Sequence, residues 1–504
     1  MSKSLGSEIK LLSKHSSIYG LSNILNRIVS FILLPLYLHY LTPSDYAIKE
    51  LLVYTIAFVE IVLDMGINAA LGRFYFDSED QKDRNLVVTT ALYGFGFGSS
   101  VLILLTLLGS RALTVLIFKD ADYTHLMILA LAGLGVDMYI KVAYNYMRVR
   151  HRSLTLTIVS VVRLSMQLGL NILFIVGYGM GVEGILWSTL ISNVVLVAYL
   201  MPYVLRETGL RYSWPKLKEM IHFGLPLIPS SFMSYIVNVS DRFFVNSMHG
   251  LQMTGLYTLG YRFGVLINEF VSAPFAQIWT PRRFEMYEKD EAERIFAQIF
   301  TYFCLAMFFV GLGISVTIKD VIQFISEKEY WEAWVVVPPL TFTYIISSFT
   351  MHFNVGIMMK KKTSYVMYIN ISTAILNLAL NYFMIKPWGM WGAVWATLIS
   401  FAVKDIITYY ASSRLVKLVV EWPRLFKMTV VAVLLYWPIN LIETGFPLVN
   451  VAVKGVACLS YPLILYAIGF YQPGEIRKGW EFARPFLGKI FPRFRDNNPM
   501  PPAA

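Results

Sequence analysis

The sequence predicts an all-α polytopic membrane protein with about fourteen transmembrane helices, in two parallel-repeat six-helix lobes plus two C-terminal helices. Three observations carry that prediction: a weakly charged, apolar composition, a succession of apolar blocks, and a long motif that occurs twice. Of the 504 residues, 56% are apolar and 15% charged, and the mean hydropathy is +0.57. A soluble domain is nearer one quarter charged, so a soluble multidomain enzyme is excluded. The blocks are continuous stretches of about twenty residues rather than short alternating strands, which selects helices over a barrel.

The spans run approximately over 15–40, 47–71, 86–109, 124–147, 153–177, 183–205, 223–247, 253–278, 294–317, 333–358, 364–385, 390–412, 425–443 and 448–470. The first is too long for a signal-peptide core and no small-residue cleavage site follows it, so it is expected to be retained. The N-terminus, even-numbered loops and tail hold about thirty basic residues, among them Arg148, Arg150, Arg152, Lys360, Lys361 and Lys362. The odd-numbered loops hold about five: Arg111, Lys119, Lys319, Lys328 and Lys386. That asymmetry places both termini on the cytoplasmic side. It also assigns the net charge of +11 to anionic headgroups rather than nucleic acid. Cys304 and Cys458 both fall in apolar segments, which leaves neither a disulfide framework nor a thiolate metal site.

The repeat is read from Gly181-Val-Glu-Gly184-Ile-Leu-Trp187-Ser-Thr189-Leu190-Ile191-Ser192 and Gly389-Met-Trp-Gly392-Ala-Val-Trp395-Ala-Thr397-Leu398-Ile399-Ser400, 208 residues apart (395 − 187). The same shift carries Trp214-Pro215 onto Trp422-Pro423, and a shift of 210 carries Arg150-His151-Arg152-Ser153 onto Lys360-Lys361-Lys362-Thr363. An even number of spans per copy gives both copies the same topology, related by an axis along the membrane normal. The expected divisions are an N-terminal lobe at 1–206, an interfacial linker at 207–222 and a second lobe at 223–414. Two added helices at 415–470 and a basic cytoplasmic tail at 471–504 follow. The glycine pairs suit close helix approach. The Trp-Pro pairs suit interfacial helix starts, with proline in the first turn.

At the seventh span the sequence Phe223-Gly224-Leu225-Pro226-Leu227-Ile228-Pro229-Ser230 leads to Asp241-Arg242 and Gly255-Leu256-Tyr257. The first span offers Leu34-Pro35-Leu36-Tyr37 before Asp45-Tyr46. With the repeat, these residues resemble the polysaccharide transporter family, whose best-known members are Wzx-type O-antigen flippases. That family lies within the multidrug/oligosaccharidyl-lipid/polysaccharide exporter superfamily. The resemblance covers the chain to about residue 470. It implies a two-lobe transporter that passes undecaprenyl-diphosphate-linked oligosaccharide to the outer leaflet by alternating access, for O-antigen, lipopolysaccharide or exopolysaccharide synthesis. The partners it implies are that lipid and the surrounding membrane lipids, with a polymerase and chain-length machinery beyond them. It further implies a monomer that needs no cofactor.

Ionisable residues inside the spans point to a site, because each costs at least about 2.5 kcal/mol facing lipid. The bases are Arg27, Lys141, Arg163, Arg242, Arg262 and Lys404; the acids are Glu60, Asp64, Asp137, Asp241, Glu269 and Asp405. Lys49 and Lys454 are read as snorkelling at outer ends. Arg27, Arg163 and Arg262, with Arg242 and Lys141, are the candidates for a diphosphate, since a guanidinium presents a fixed fork of donors to phosphate. Glu60, Asp64, Asp137 and Glu269 are the candidates for coupling to a proton or sodium gradient. Glu60 and Asp64, four apart, repel unless a base intervenes, and Asp137 and Lys141 can pair along one helix. Arg262 and Glu269, seven apart, share a face, whereas Asp241-Arg242 and Lys404-Asp405 are adjacent and should each engage other helices. The equal numbers of both signs also suit structural ion pairs.

Tyr144, Tyr235, Tyr261 and Trp279 are aromatic candidates for sugar stacking, against a packing or interfacial role. The histidines show no metal-ligand spacing, Gly94-Phe95-Gly96-Phe97-Gly98 follows no strand, and no Walker motif occurs. No catalytic residue is expected. A membrane glycosyltransferase or polymerase would need a sizeable loop for acid–base chemistry, and no loop outside the spans supplies one. A multidrug/cation exporter would share the fold, but the intramembrane bases oppose it.

Overall fold

The computed structural model describes residues 32–287, 291–472 and 474–475. Among the described residues every regular element is a helix, and eight helices are long and apolar enough to cross a membrane. The protein is a multi-pass membrane protein. Among the described residues the helices are more interrupted than the sequence suggests, and most of the first expected span, 15–40, lies outside the described residues.

The first half runs α1 (Pro43–Asp64), α2 (Ile67–Asp77), α3 (Gln81–Leu108), α4 (Ser110–Phe118), α5 (Thr124–Val149), α6 (Ser153–Gly177) and α7 (Gly181–Thr208). A capping box starts α1: the Asp45 backbone N–H donates to Thr42 Oγ1 at 3.2 Å and the Thr42 N–H to Asp45 Oδ2 at 3.1 Å. Left-handed Met65 and Gly66 end it (φ 45° and 68°), so the span expected over 47–71 is two helices. A π-helical turn, Ala91–Phe95, interrupts α3. The short helix α4 lies where a loop was expected.

The chain continues through α8 (Trp214–Gly224), α9 (Ile228–His249), α10 (Leu251–Gly264), α11 (Ala273–Tyr287), α12 (Ala292–Ile325), α13 (Val337–Ser347) and α14 (Thr363–Ser413). It ends in α15 (Trp422–Asn440), α16 (Pro447–Cys458) and α17 (Ser460–Ala467). The eighth span of the sequence is broken between α10 and α11 by a π-helical turn, Asn268–Ser272. The eleventh and twelfth spans are the two arms of α14, bent at Gly389.

The duplicated motif adopts matching backbone. Gly181 and Gly389 both take left-handed conformation, φ 55° and 53°, which glycine accepts at little cost. The second glycines, Gly184 and Gly392, both lie against the preceding helical arm. A Cβ on Gly184 would sit 2.9 Å from Phe174 Cβ, and one on Gly392 would overlap the Met384 carbonyl. Glycine to glycine is a shift of 208 (392 − 184) and neighbour to neighbour a shift of 210 (384 − 174), the same two shifts seen in the sequence. His151 and Lys361, also 210 apart, share positive φ (56° and 55°) just before α6 and α14. Both α8 and α15 start at an exposed tryptophan followed by proline.

Two compact units result. The first comprises Met1–Val265 and Ile322–Leu415. Within it α5 packs on α7 and α9 on α14, while α1 lies along both α9 and α10. Leu63, Leu71, Val87, Leu134, Met138, Leu217 and Met220 form part of its core. A polar ladder joins the arms of α14: Asn381 Nδ2 donates to Asn377 Oδ1 at 3.0 Å and Asn377 Nδ2 to Ser400 Oγ at 3.3 Å. The α1–α10 contact is close enough that a Cβ on Gly255 would overlap the Pro43 carbonyl.

The second unit comprises Leu266–Val321 and Val416–Ala504. Phe275 stacks on Phe303 at 4.4 Å, and Tyr461 donates to the Met428 carbonyl at 3.2 Å. Lys454 is completely buried and donates to Asp320 Oδ2 at 2.6 Å, while Asn450 Nδ2 donates to Asp320 Oδ1 at 2.6 Å. The snorkelling expected of Lys454 is therefore corrected, because the carboxylate in the neighbouring helix holds it inward.

Candidate functional site

The ionisable residues of the first unit gather at two levels of α1. Toward its C-terminal end, Glu60 pairs with Lys141 of α5. Lys141 lies 3.4 Å from Asp137, one turn earlier, and Arg163 of α6 donates to Asp137 Oδ1 at 2.6 Å. The same guanidinium nitrogen donates to Asn193 Oδ1 of α7 at 2.7 Å, and Asn193 Nδ2 donates to the Gly133 carbonyl at 3.2 Å. The chain Glu60–Lys141–Asp137–Arg163–Asn193 thus ties four helices together. The anticipated Asp137–Lys141 pair forms, and Lys141 also supplies the base beside Glu60. Asp64 closes α1. The Arg163 side chain keeps 22% of its surface exposed, so the chain is paired without being sealed.

Ten residues earlier, about 15 Å up the helix, α1 presents Glu50. Its Oε1 accepts from Lys49 Nζ at 2.6 Å and lies 3.6 Å from Arg262 Nη1 of α10. The Tyr46 hydroxyl is 3.5 Å from the same Arg262 nitrogen, and Lys49 Nζ sits 5.3 and 5.6 Å from the Tyr37 and Tyr46 ring centroids. The Glu50 side chain is 9% exposed and that of Arg262 32%. Lys49 was expected to snorkel, but the adjacent carboxylate and two tyrosine faces retain it. Glu50 escaped the sequence reading altogether, although Tyr46, Glu50 and Tyr54 form a stripe at four-residue spacing that marks one inward face of α1.

Arg242 occupies a third, closed setting. Its guanidinium donates to Asp241 Oδ1 at 2.7 Å and to the Asn238 carbonyl, and lies 3.6 Å from the Tyr261 ring centroid. Tyr54 and Tyr257 flank it at 5.2 and 5.9 Å, and the Tyr257 hydroxyl donates to Asp241 Oδ2 at 2.5 Å. These neighbours in sequence pair with each other, and each also engages another helix, Asp241 through Tyr257 of α10 and Arg242 through Tyr54 of α1 and Tyr261 of α10. With Arg242 2% exposed, the cage presents no open face. Asp405 accepts from the Thr350 hydroxyl and is buried on α14 beside Lys404.

The remaining candidates are dispersed. Arg27 lies outside the described residues. Glu269 sits in the π-helical turn Asn268–Ser272 of the second unit, whereas Arg262 belongs to the first. Trp279 is buried between Phe275 and Phe296, and Tyr261 bonds to the Tyr344 hydroxyl. Both are packing residues here, not stacking platforms. Tyr235 donates to the Tyr54 carbonyl at 2.7 Å, joining α9 to α1, and the Tyr144 hydroxyl is buried. Gly94 and Gly96 face Leu217 and the Tyr139 ring, which is helix packing. Among the described residues no group of three His, Cys, Asp or Glu is placed to hold a metal ion.

The multi-helical fold has solved counterparts. The structure described as "Lipid II flippase MurJ, inward closed conformation" matches with a TM-score of 0.68 at 12% identity, covering 89% of this chain and 98% of that one. An inward-facing multidrug resistance MATE family transporter of the MOP superfamily matches with a TM-score of 0.63 at 15% identity, covering 80% and 95%. A MATE structure in the bent conformation matches with a TM-score of 0.51 at 16% identity, covering 83% and 94%. The fold is therefore the one shared by these membrane proteins. No curated protein sequence matches the chain. The sequence model of the family described as "Polysaccharide biosynthesis protein" matches residues 12–287, more than half of the chain, and the protein belongs to that family.

Proposed function

We propose that this protein is a flippase for an undecaprenyl-diphosphate-linked oligosaccharide, moving it across a bacterial cytoplasmic membrane by alternating access with both termini cytoplasmic. The observation that carries this is the state of Arg163 and Arg262. Each lies within an apolar helix beside a carboxylate of another helix, yet each keeps a fifth to a third of its side chain exposed. A partly open guanidinium in a low-dielectric setting suits a diphosphate. Lys141 sits in the same chain as Arg163, while caged Arg242 braces α9. The fold shared with the flippase MurJ supports this function, as does membership of a family described as polysaccharide biosynthesis proteins. The MATE transporters share the fold as well, but a cation exporter gains nothing from open guanidiniums.

Movement would separate and rejoin the lobes at 1–206 and 223–414 about the linker 207–222. Substrate arrival frees a carboxylate, and Asp137, Glu60, Asp64 or Glu269 then takes a proton or sodium ion, coupling transport to a gradient through its differential affinity for the two states. The test is deletion in the native host with complementation by wild type, Arg163→Ala or Arg262→Ala. Lipid-linked repeat units should accumulate on the inner leaflet in the deletion strain and remain there with either alanine variant. Unchanged lipid intermediates and polymer in the deletion strain would reject the proposal.

A further inference from the structure

We infer that Glu50 and Lys49 are positioning residues that set how tightly Arg262 holds an anionic headgroup: Glu50 competes with the ligand for the guanidinium, and Lys49 takes over Glu50 when the ligand wins. The inference rests on Arg262 being a phosphate-binding group.

The distances assign the roles. Glu50 Oε1 is 2.6 Å from Lys49 Nζ, a full charge-assisted hydrogen bond, but 3.6 Å from Arg262 Nη1, beyond hydrogen-bond reach. The exposures agree, since the Lys49 and Glu50 side chains are 13% and 9% exposed and Arg262 remains the open member. A phosphate therefore approaches the guanidinium from its exposed side while the carboxylate stands behind it.

A lone buried carboxylate that lost Arg262 would be left uncompensated, which is costly. Lys49 removes that penalty, because the Lys49–Glu50 bond survives when Arg262 turns to a ligand. The cluster holds two cations and one carboxylate, and a singly compensated pair of bases suits a lipid diphosphate better than a neutral headgroup. The rings of Tyr37 and Tyr46 keep Lys49 folded back onto Glu50. The close Gly255–Pro43 approach fixes α10 against α1, and with it the spacing between Arg262 and Glu50.

The arrangement also explains why a competitor is useful. An arginine–lysine pair without an opposing carboxylate would bind a diphosphate tightly in both access states and release it slowly. Glu50 lowers affinity at the step where the headgroup must leave.

The test is binding of farnesyl diphosphate, with farnesol as the uncharged control, to the full-length protein in nanodiscs, paired with flipping rates in proteoliposomes. Glu50→Gln should bind the diphosphate about two- to fivefold tighter, the worth of one partly exposed ion pair at 3.6 Å, and should turn over more slowly. Lys49→Met should weaken binding, and should do so several-fold more with Glu50 present than in Glu50→Gln, because its main effect is to leave the carboxylate free to hold Arg262. A merely structural role predicts weaker binding or none, never tighter binding with slower turnover. If Glu50→Gln does not fold, Glu50→Asp draws the carboxylate back by one methylene and should tighten binding in the same direction. Failure of wild type to prefer farnesyl diphosphate over farnesol would remove the phosphate reading of Arg262. A wild type that discriminates, with a Glu50 variant that fails to tighten, would overturn this inference alone.

Discussion

Arg163 and Lys141 share one carboxylate, that of Asp137, at 2.6 and 3.4 Å, so a single acid on α5 restrains two of the bases proposed to meet substrate. Asp137→Asn keeps the shape but removes the charge. Transport driven by an imposed proton or sodium gradient should fall at least about tenfold, a loss of about 1.4 kcal/mol in coupling, while gradient-independent exchange continues. Proteoliposome assays with and without each gradient make the comparison, and full gradient-driven activity in both Asp137→Asn and Asp64→Asn would exclude these acids from coupling.

The ion pair of the second unit makes a stability prediction. Lys454→Met leaves buried Asp320 with Asn450 alone and should cost about 3–5 kcal/mol, whereas the double variant with Asp320→Asn should regain most of it. Thermal unfolding of detergent-solubilised protein reads both, and a double variant no more stable than the single would show that packing, not charge, dominates.

Glycine substitutions in the duplicated motif should differ by place. Gly392→Ala drives a methyl into the Met384 carbonyl and should cost about 1–3 kcal/mol, more than Gly184→Ala, whose methyl meets side-chain carbon. Gly181→Ala and Gly389→Ala should each cost about 1–2 kcal/mol for holding an L-residue at positive φ. Thermal unfolding midpoints of the four variants settle the ranking.

Beyond the last helix, Glu475 accepts from the Gln472 backbone N–H at 2.7 Å and from Arg424 Nη2 at 2.8 Å. Burial alone would raise its pKa, but the Gln472 N–H and Arg424 outweigh it and hold the carboxyl below its ordinary value of 4.5. A depressed folded pKa means the docked segment is favoured fully above the unfolded value and loosens as pH falls through the folded one. Hydrogen-exchange protection of the Gln472 amide, relative to its intrinsic rate at each pH, should therefore fall below about pH 4.5 in wild type, and should show no such transition in Glu475→Gln.

The fold was legible because lipid imposes a simple code. Long apolar blocks must be helices, and the motif repeated at 181 and 389 announced the backbone that both copies adopt. The interruptions were less legible. Positive φ at Met65 and the π-helical turn at Asn268–Ser272 depend on how neighbouring helices pack, which hydropathy does not encode. At the site, spacing within one helix revealed Asp137–Lys141. Pairings across helices, such as Glu60–Lys141, Glu50–Arg262 and Asp320–Lys454, needed three dimensions. Lys49 and Lys454 were misjudged for one reason: proximity to a helix end invites snorkelling only where no acid waits inside.

The Asp320–Lys454 pair also bears on how the chain is made. The two residues are separated by 134 positions, so synthesis delivers the aspartate to the bilayer long before its lysine exists. The helix carrying Asp320 must then linger beside the insertion machinery, or rest on a temporary chaperoning surface, until the hydrophobic segment that carries Lys454 emerges. Premature termination anywhere in between would strand a naked acid among acyl chains, a ready mark for membrane quality control.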